Sequence, residues 1–473
     1  MRNLKIYSVA IVMALAGCKS EKEQPKVEEP AQKVALKKPN IIFIMADDMG
    51  YADAGVYGQK LIKTPNIDQM AKEGLRFTQC YSGSSVCAPA RSVLMTGQHT
   101  GHTRVRGNFG AGGVVGLGGG EGRVPLREED ITIAQLLQKA GYTTGMVGKW
   151  GLGEPNTTGE PSAKGFDEFY GFLNQRRAHT YYPDYIWKNK EKVILNNKDR
   201  KGADYTHDLF ADYTVDFITR NKDKPFFLYI PFCIPHDSYE VPDNGAYENK
   251  PWNKKAKAYA AMMSRMDNSV GRIMTTLKEA GIDDNTYVFF TSDNGASGNA
   301  VEWNLFNSNA PLRGIKRDPY EGGMRVPMIV RQPKNIKQGT TSDLAWYFAD
   351  VFPTLAQIAE VTPSDNIDGK SVLPTLHGQQ QDLSDRYLYW EFYEKRGWRA
   401  VRFGNWKAIQ NEMHTKEHLP IELYDLSKDI GETSNVAAEN PEIIKQVEEM
   451  FAESHIPSEH FAWKHLRKNT HIK

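Results

Sequence analysis

The stretch NIIFIMA, residues Asn40–Ala46, is a near-continuous apolar run that ends in Asp47-Asp48. Such a run predicts a strand buried on both faces of a sheet. Similar strands are indicated at residues 143–147, 225–232 and 286–291. Helical patterns lie between the strands, at residues 65–77, 133–140, 205–220 and 254–280. This alternation predicts an α/β fold with a large, mostly parallel central sheet flanked by helices, and ligand sites at the carboxyl ends of the strands.

The pattern changes after residue 330. We predict an amphipathic helix over residues 346–361, strand-like pieces over 386–392 and 398–409, and a last helix over 441–453. The aromatic strand-like pieces indicate a small C-terminal antiparallel sheet. We therefore place a boundary near residue 375, which gives a large domain, residues 39–375, and a C-terminal subdomain, residues 376–473.

The N-terminal region resembles an export signal. It carries Arg2 and Lys5, then an apolar stretch over residues 6–16, then Gly17-Cys18. The stretch is short for a bilayer span, and small residues before a cysteine are typical of a lipoprotein signal peptide, here residues 1–18 with lipidation at Cys18. An uncleaved anchor or an ordinary secretory signal is the alternative. Residues 19–38 are rich in Lys, Glu, Gln and Pro and predict a flexible tether, so we expect a lipid-anchored protein of the bacterial cell envelope, periplasmic or on the cell surface.

Charge and cysteine content exclude two classes of protein. The chain has 59 Lys and Arg against 58 Asp and Glu, a formal net charge of +1, and no long basic run, so we expect no general nucleic-acid binding. Cys80, Cys87 and Cys233 are too few and too scattered for a disulfide framework in an exported protein, so at least one needs another explanation. The irregular glycine-rich piece at residues 110–122 indicates a mobile surface loop rather than a phosphate-binding loop.

Two predicted strands end in oxygen-bearing side chains. Asp47 and Asp48 follow the first strand, and Asp293 and Asn294 follow the strand near residue 290. Adjacent carboxylates repel each other unless a cation or strong donors compensate. Either pair alone could be a turn or a helix cap. Together they predict an oxygen-rich site for Ca²⁺ or Mg²⁺.

The segment Ser85-Val86-Cys87-Ala88-Pro89-Ala90-Arg91 enters a predicted helix that ends in Thr96-Gly97. This Cys-x-Pro-x-Arg pattern resembles the signature of the formylglycine-dependent sulfatases, in which the cysteine is oxidised to an aldehyde. Further blocks that resemble the family follow in family order: Lys38–Asn40, Thr64–Asp68, Gly148–Gly153, Gly165–Asp167, Pro235-His236, Ser292–Gly295, Leu312–Gly314 with Lys316, Tyr320–Pro327 and Glu422–Leu426. The resemblance covers most of the chain from about Pro39 to Thr433.

The resemblance implies an alkaline-phosphatase-like sulfatase fold whose catalytic domain spans residues 39–375. It also implies a maturation enzyme that makes formylglycine from Cys87, which would then bind the metal, with Ca²⁺ favoured over Mg²⁺. The hydrated aldehyde attacks sulfur with one hydroxyl, and the second later expels sulfate. The helix N-terminus, the metal and Arg91 would stabilise the developing alkoxide. Lys149 and Lys316 would hold the sulfate oxygens, and His236 would bind sulfate or protonate the leaving oxygen.

Two positions depart from the family pattern. Ala90 stands where the family usually has serine, which puts the efficiency of maturation in question. Gly151 stands where many relatives have a histidine that assists the aldehyde hydrate. His99 and His102 are the candidate replacements.

The stretch Asn174–His179, followed by Tyr181 and Tyr182, offers arginine and aromatic side chains that suit a sulfated sugar. We expect Arg177 and His179 to bind substrate; a solvated loop is the alternative. The expected function is hydrolysis of a sulfate ester on a sulfated carbohydrate. The alternatives are a phosphodiester or phosphonate monoester hydrolase of the same superfamily, and a non-catalytic glycan-binding lipoprotein.

Overall fold

The computed structural model describes residues 38–114, 122–298, 305–363 and 365–466, together with positions 1, 8 and 10. The predicted signal peptide, including Cys18, lies outside the described residues except for positions 1, 8 and 10. The predicted tether also lies outside them, except for Lys38. Residues 115–121 of the glycine-rich stretch are outside them as well. The described residues from Lys38 onward form one compact unit. Within the described ranges, no helix is both long enough and apolar enough to cross a membrane.

A large central sheet organises the architecture. In the described residues the strands are β1 (Asn40–Ala46), β2 (Leu75–Tyr81), β3 (Thr143–Lys149), β4 (Glu168–Phe172), β5 (Tyr185–Lys188), β6 (Glu191–Ile194), β7 (Asn197–Lys198), β8 (Lys201–Gly202), β9 (Phe226–Pro231), β10 (Thr286–Ser292), β11 (Arg325–Arg331), β12 (Thr340–Ser342), β13 (Trp346–Tyr347), β14 (Leu388–Phe392), β15 (Trp398–Phe403), β16 (Trp406–Asn411) and β17 (Glu422–Asp425). Eleven of them form the central sheet, in the order β12-β2-β11-β10-β1-β9-β3-β4-β5-β6, with β13 beside β2. Its centre, from β10 to β4, is parallel, which confirms the predicted α/β fold.

Strand β1 lies in the middle of the sheet and is buried along its whole length. Its side chains alternate between two cores, with Ile41, Phe43 and Met45 on one face and Ile42 and Ile44 on the other. A continuous apolar run is the consequence, because both faces of a central parallel strand are covered.

Helices cover both faces of the sheet. In the described residues they are α1 (Pro65–Lys72), α2 (Cys87–Thr96), α3 (Ile133–Lys139), α4 (Thr206–Asn221), α5 (Lys254–Glu279), α6 (Glu321–Met324), α7 (Val351–Ile358), α8 (Leu373–Leu376) and α9 (Pro441–Glu453). Side chains of α1, α4 and α5 pack into the core that contains Ile42, and those of α2, α3 and α7 pack into the core that contains Phe43. Helix α2 is thereby fixed against the sheet with its N-terminus at the carboxyl edge of β1.

Two predicted helices are partly wrong. The helix predicted over residues 65–77 ends at Lys72, and β2 follows after Gly74, where a Cβ atom would lie 2.5 Å from the carbonyl oxygen of Val330. The helix predicted over residues 346–361 begins only at Val351, because Trp346 and Tyr347 pair with β2. In both places the apolar residues of a strand fit a helical pattern as well, so the local sequence does not separate the two.

The predicted C-terminal antiparallel sheet is present as β14-β15-β16-β17. The piece predicted over residues 398–409 is two strands joined by a turn. One face of this sheet packs under α9, and the other face contributes Trp390, Ala400 and Ile409 to the main core. The buried Lys407 ammonium of β16 lies 2.9 Å from a carboxylate oxygen of Glu321 and ties the C-terminal sheet to α6, which precedes β11. The domain boundary near residue 375 stays a prediction.

Candidate functional site

The carboxyl ends of β1 and β10 bring the two predicted pairs of ligands to one place. The strands are parallel neighbours with Ala46 opposite Ser292, so the residues that follow them emerge side by side. Asp48 has a left-handed backbone conformation, with φ of 68°, and its amide donates to Oδ1 of Asp293 over 3.2 Å. Asp47, Asp48, Asp293 and Asn294 are all buried at this edge.

Cys87 is the first residue of α2, and its Sγ atom lies 3.4 Å from Oδ1 of Asp47. The side chain is buried, and its position at the helix N-terminus favours negative charge there. Burial, and then the charge of Asp47, raise the pKa of the Cys87 thiol to about 12. The unmodified side chain is therefore a protonated thiol at neutral pH.

Three cationic side chains neutralise the three carboxylates of the site. The ion pairs are Lys149 with Asp47 at 2.6 Å, Lys316 with Asp48 at 2.7 Å, and Arg91 with Asp293 at 2.7 Å. Arg91 also donates to the carbonyl oxygen of Lys149 over 2.6 Å, which fixes the guanidinium beneath α2. Burial alone would raise the pKa of Asp47, but Lys149, His236 and Arg91 outweigh it and hold that pKa below its ordinary value. The cluster is thus balanced in charge before any ligand enters.

The donor set fits a hard divalent cation. The buried Oδ1 atom of Asn294 has no hydrogen-bond partner among the described residues, while its Nδ2 donates to Asp48 over 2.7 Å. Ligand atoms of Asp47, Asp48, Cys87 and His236 lie within 4.8 Å of one another. An unsatisfied amide oxygen beside clustered carboxylates is what Ca²⁺ or Mg²⁺ would satisfy.

His236 lies at the mouth of this cluster. Its Nε2 is 3.0 Å from the Lys316 ammonium, which can only donate, and its Nδ1 is 2.9 Å from a carboxylate oxygen of Asp237. Nε2 is also 3.4 Å from a carboxylate oxygen of Asp48, so each ring nitrogen has a carboxylate nearby. The ring stacks on His179 with a centroid distance of 3.8 Å. Burial, and then the charge of His236, lower the pKa of His179 far below its ordinary value, so this imidazole is neutral.

A cavity of about 710 Å³ opens above Cys87. Its cationic lining residues are Arg123, Arg176, Lys316, Arg317 and Lys395, and its acidic lining residues are Asp48 and Asp237. The excess of positive charge suits an anionic ligand.

The predicted substrate-binding residues are placed differently from each other. His179 lines the cavity, whereas Arg177 is not among the lining residues because its guanidinium pairs with Asp184 and lies 3.5 Å above the ring centre of Tyr185. The neighbouring Arg176 lines the cavity instead. Tyr181 is fully buried, and its hydroxyl donates to the carbonyl oxygen of Cys233 over 2.9 Å, so it supports the fold rather than the cavity wall.

His99 and His102 do not line the cavity. They lie together beside Asp368, and Nδ1 of His102 is 2.8 Å from that carboxylate. The space next to Gly151 is filled by Gln175, whose side chain would be 2.6 Å from a Cβ atom added at residue 151. Neither candidate histidine therefore stands at the position that Gly151 leaves open.

Sequence reasoning missed several residues of the cavity wall: Asn108, Phe109, Arg123, Arg317 and Lys395. Phe109 and Arg123 flank the glycine-rich stretch, and the Arg123 guanidinium lies 4.3 Å from the ring centre of Phe109. The glycine content of the stretch predicts a surface loop, but it does not show that the ends of the stretch converge on a site.

Comparisons with known families match residues 39–361 to the sulfatase family and residues 315–456 to the family described as N-sulphoglucosamine sulphohydrolase, C-terminal. Among characterised relatives, N-acetylgalactosamine-6-sulfatase of Canis lupus familiaris is 32% identical over 398 residues, covering 79% of this chain and 72% of the relative. Arylsulfatase A of Homo sapiens is 31% identical over 463 residues, covering 88% of this chain and 87% of the relative.

Solved structures show the same likeness. The crystal structure of Ps i-CgsB in complex with k-i-k-neocarrahexaose has a TM-score of 0.78 and 30% identity, covering 88% of this chain and 93% of that one. The phosphonate monoester hydrolase of Agrobacterium radiobacter has a TM-score of 0.62 and 20% identity, covering 88% of this chain and 95% of that one, which is a likeness of fold alone.

Proposed function

Because this chain belongs to the sulfatase family and is a hydrolase of sulfuric esters, we propose that it removes sulfate from a sulfated carbohydrate, using a formylglycine made from Cys87 and a divalent cation. The observation that carries the proposal is the position of Cys87, at the N-terminus of α2 and 3.4 Å from Asp47, on the floor of a cationic cavity. A maturation enzyme of the host makes the formylglycine. Ca²⁺ is the preferred cation, and Mg²⁺ is compatible with the same oxygen ligands.

The cation would be held by Asp47, Asp48, Asp293 and Asn294 together with residue 87. When bound, it supplies positive charge that polarises the sulfate group, and formylglycine supplies a hydrated aldehyde as the nucleophile. Among the chain's own residues, Arg91 holds Asp293 and the carbonyl of Lys149, so it keeps the carboxylates and the first turn of α2 in register.

Lys149, Lys316 and His236 act on the substrate. Each lysine ammonium lies within 2.8 Å of a carboxylate oxygen, and a bound cation would compete for those carboxylates and release hydrogen-bonding capacity towards the sulfate. His236 can bind sulfate or protonate the oxygen of the departing alcohol. Its contact with Asp237 orients the ring for either role.

A carbohydrate substrate is supported by the cavity and by the relatives. One relative is an N-acetylgalactosamine-6-sulfatase, and one similar structure holds a neocarrahexaose. The exposed ring of Phe109 offers a face for stacking, and the cavity is large enough for more than one sugar ring. His179 and Arg176 face this space, so Arg176 is better placed than Arg177 to contact the substrate.

For location, we propose a lipid anchor at Cys18 and residence in the bacterial cell envelope, periplasmic or on the cell surface. The support is the sequence before Cys18. Tethering next to the envelope would keep the enzyme close to polysaccharide fragments. A Cys18→Ala variant that stays in the membrane fraction after alkaline washing would contradict the anchor.

The test of the proposed function is turnover by protein expressed in a host able to mature sulfatases. We expect 4-nitrocatechol sulfate and at least one class of sulfated oligosaccharide to be hydrolysed faster than phenylphosphonate esters or phosphodiesters. Faster hydrolysis of the phosphorus esters would favour the superfamily alternative. Binding of sulfated oligosaccharide without any turnover would favour the non-catalytic alternative.

A further inference from the structure

Gln175 lines the same cavity as Cys87 and packs against Gly151. Gly151 follows β3 with φ of 82°, and a Cβ atom there would lie 2.6 Å from both Cγ and Nε2 of Gln175. The carboxamide therefore rests on the bare backbone of Gly151. This glycine stands two residues beyond Lys149, whose ammonium holds Asp47.

The carboxamide is buried and only half satisfied. Gln175 is 3% exposed, and its Oε1 accepts from Nη1 of Arg123 over 3.4 Å. Its Nε2 atom finds no hydrogen-bond acceptor in the described part of the chain. Because the arginine can only donate, it fixes the orientation of the amide and leaves the NH₂ group as the unused donor. A buried donor without an acceptor destabilises the fold, so a bound ligand that supplies an acceptor would be stabilised at this position.

Backbone hydrogen bonds hold the segment that leads to Gln175. The backbone amide of Trp150 donates to the carbonyl oxygen of Phe172 over 2.9 Å, and the backbone amide of Gly151 donates to the carbonyl oxygen of Leu173 over 3.0 Å. These two bonds extend the pairing of β3 and β4. Gln175 comes two residues after Leu173 and lines the same cavity as Cys87. A donor held in this way loses little entropy when an acceptor arrives.

Resting on the proposed function, we infer that the NH₂ group of Gln175 donates a hydrogen bond to an oxygen of the sulfate group bound above residue 87, and that Arg123 is a positioning residue that orients this amide. The orphaned donor, the cavity and the contact with Gly151 carry the inference. Gln175 is thus a substrate-contacting residue at the position that Gly151 leaves open.

The first test compares Gln175→Ala with Gln332→Ala. Gln332 is also a buried glutamine, but it lies outside the cavity and both ends of its amide are paired, with Asp284 and Asn335. With 4-nitrocatechol sulfate we expect Gln175→Ala to lower kcat about 10- to 100-fold, since removing one preorganised donor to a developing anion has effects of this order. Gln332→Ala should lower the melting temperature with kcat unchanged.

The second test uses pH and covers the case in which Gln175→Ala folds poorly. In Gln175→Glu the protonated carboxyl group can still donate, whereas the ionised one repels sulfate. The ratio of its kcat/KM to that of the wild type should therefore rise as the pH falls. A ratio that does not change with pH would contradict the inference. If the side chain at position 175 only filled space, its protonation state would not affect the hydrolysis of sulfate.

The third test separates this inference from the proposed function. Binding of inorganic sulfate to the matured protein is measured by calorimetry, and we expect Gln175→Ala to weaken it at least about threefold. Weaker binding in a protein without turnover would sustain the donor role while the catalytic proposal fails. Equal sulfate affinity, together with a kcat equal to that of the wild type, would show that Gln175 only fills the space above Gly151.

Discussion

The Sγ atom of Cys87 lies 3.4 Å from a carboxylate oxygen of Asp47, so the residue proposed to become the nucleophile directly contacts a proposed cation ligand. This contact joins the two sequence signals, the cysteine segment and the paired carboxylates, in one site. We expect Cys87→Ala to abolish sulfate ester hydrolysis. Cys80→Ala is the matched control, because Cys80 is equally buried but lies in β2 within the core, and its loss should leave kcat within about twofold of the wild type.

Cation removal should abolish activity and lower stability. Dialysis against a chelator leaves three buried carboxylates balanced only by Lys149, Lys316 and Arg91. Adding back Ca²⁺ at about 100 times its Kd should stabilise the fold by about 2.7 kcal/mol and restore turnover. The measurement is thermal unfolding with a parallel activity assay. Full activity after exhaustive chelation would exclude the proposed cation site.

His236→Ala should slow the reaction in a way that depends on the leaving group. If the ring protonates the departing oxygen, kcat for a sugar sulfate should fall about 10²- to 10⁴-fold, since a general acid contributes this much. Hydrolysis of 4-nitrocatechol sulfate should fall much less, because its leaving group is acidic and needs little help. An equal loss on both substrates would assign His236 to sulfate binding alone.

Ala90→Ser should raise the fraction of protein that carries formylglycine. Ala90 is buried on the first turns of α2, where the family signature usually has serine, and a hydroxyl there is a small addition. Ala88→Ser places the same hydroxyl on the same helix outside that signature position, so it serves as the control. The fraction is measured by mass spectrometry of the peptide that contains residue 87. Equal conversion in both variants and the wild type would show that Ala90 does not limit maturation.

Glu432 should make stability depend on pH. Burial raises its pKa from the ordinary 4.5 to about 7 although Lys407 is near, and the charge of Glu321 adds to the rise. A carboxyl group whose pKa is raised by folding contributes stability below its unfolded pKa, and that contribution is lost as the pH rises through the folded value. The free energy of unfolding should therefore fall between pH 4.5 and 7, by at most about 1.4 kcal/mol per pH unit.

Urea unfolding at several pH values across this window checks the expectation. Glu432→Gln should flatten the dependence, whereas Glu442→Gln, which removes an exposed charge from the start of α9, should not. A wild-type slope that persists in Glu432→Gln would assign the titration to another group.

The fold could be predicted from the sequence where burial produced a long, uniform signal. Asn40–Ala46 is apolar at almost every position because β1 has a core on each face, and α9 has the predicted bounds because Pro441 begins it. The segments that form the start of β2 and all of β13 were instead predicted to be helical. Their pairing is set by partners distant in sequence, which a local pattern does not show.

The same limit applies to the site. The centre of the site was indicated by two features of the sequence: the adjacent polar residues at the strand ends, and the segment around Cys87. The positions of these residues follow from the geometry of a parallel sheet and from the start of α2. Arg123 and Gln175 come from loops whose convergence depends on the whole fold. The sequence also could not decide between Arg176 and Arg177. In the structure Asp184 and Tyr185 hold the Arg177 side chain away from the cavity, and Arg176 lines it.

Mass spectrometry of the tryptic peptide Phe77–Arg91, from protein made in a host able to mature sulfatases, tests the central claim most directly. We expect the mass of formylglycine at position 87, and capture of that residue by an aldehyde-reactive hydroxylamine. Only cysteine at position 87, in a preparation that still hydrolyses sulfate esters, would contradict the account, because the reaction would then proceed without the proposed nucleophile.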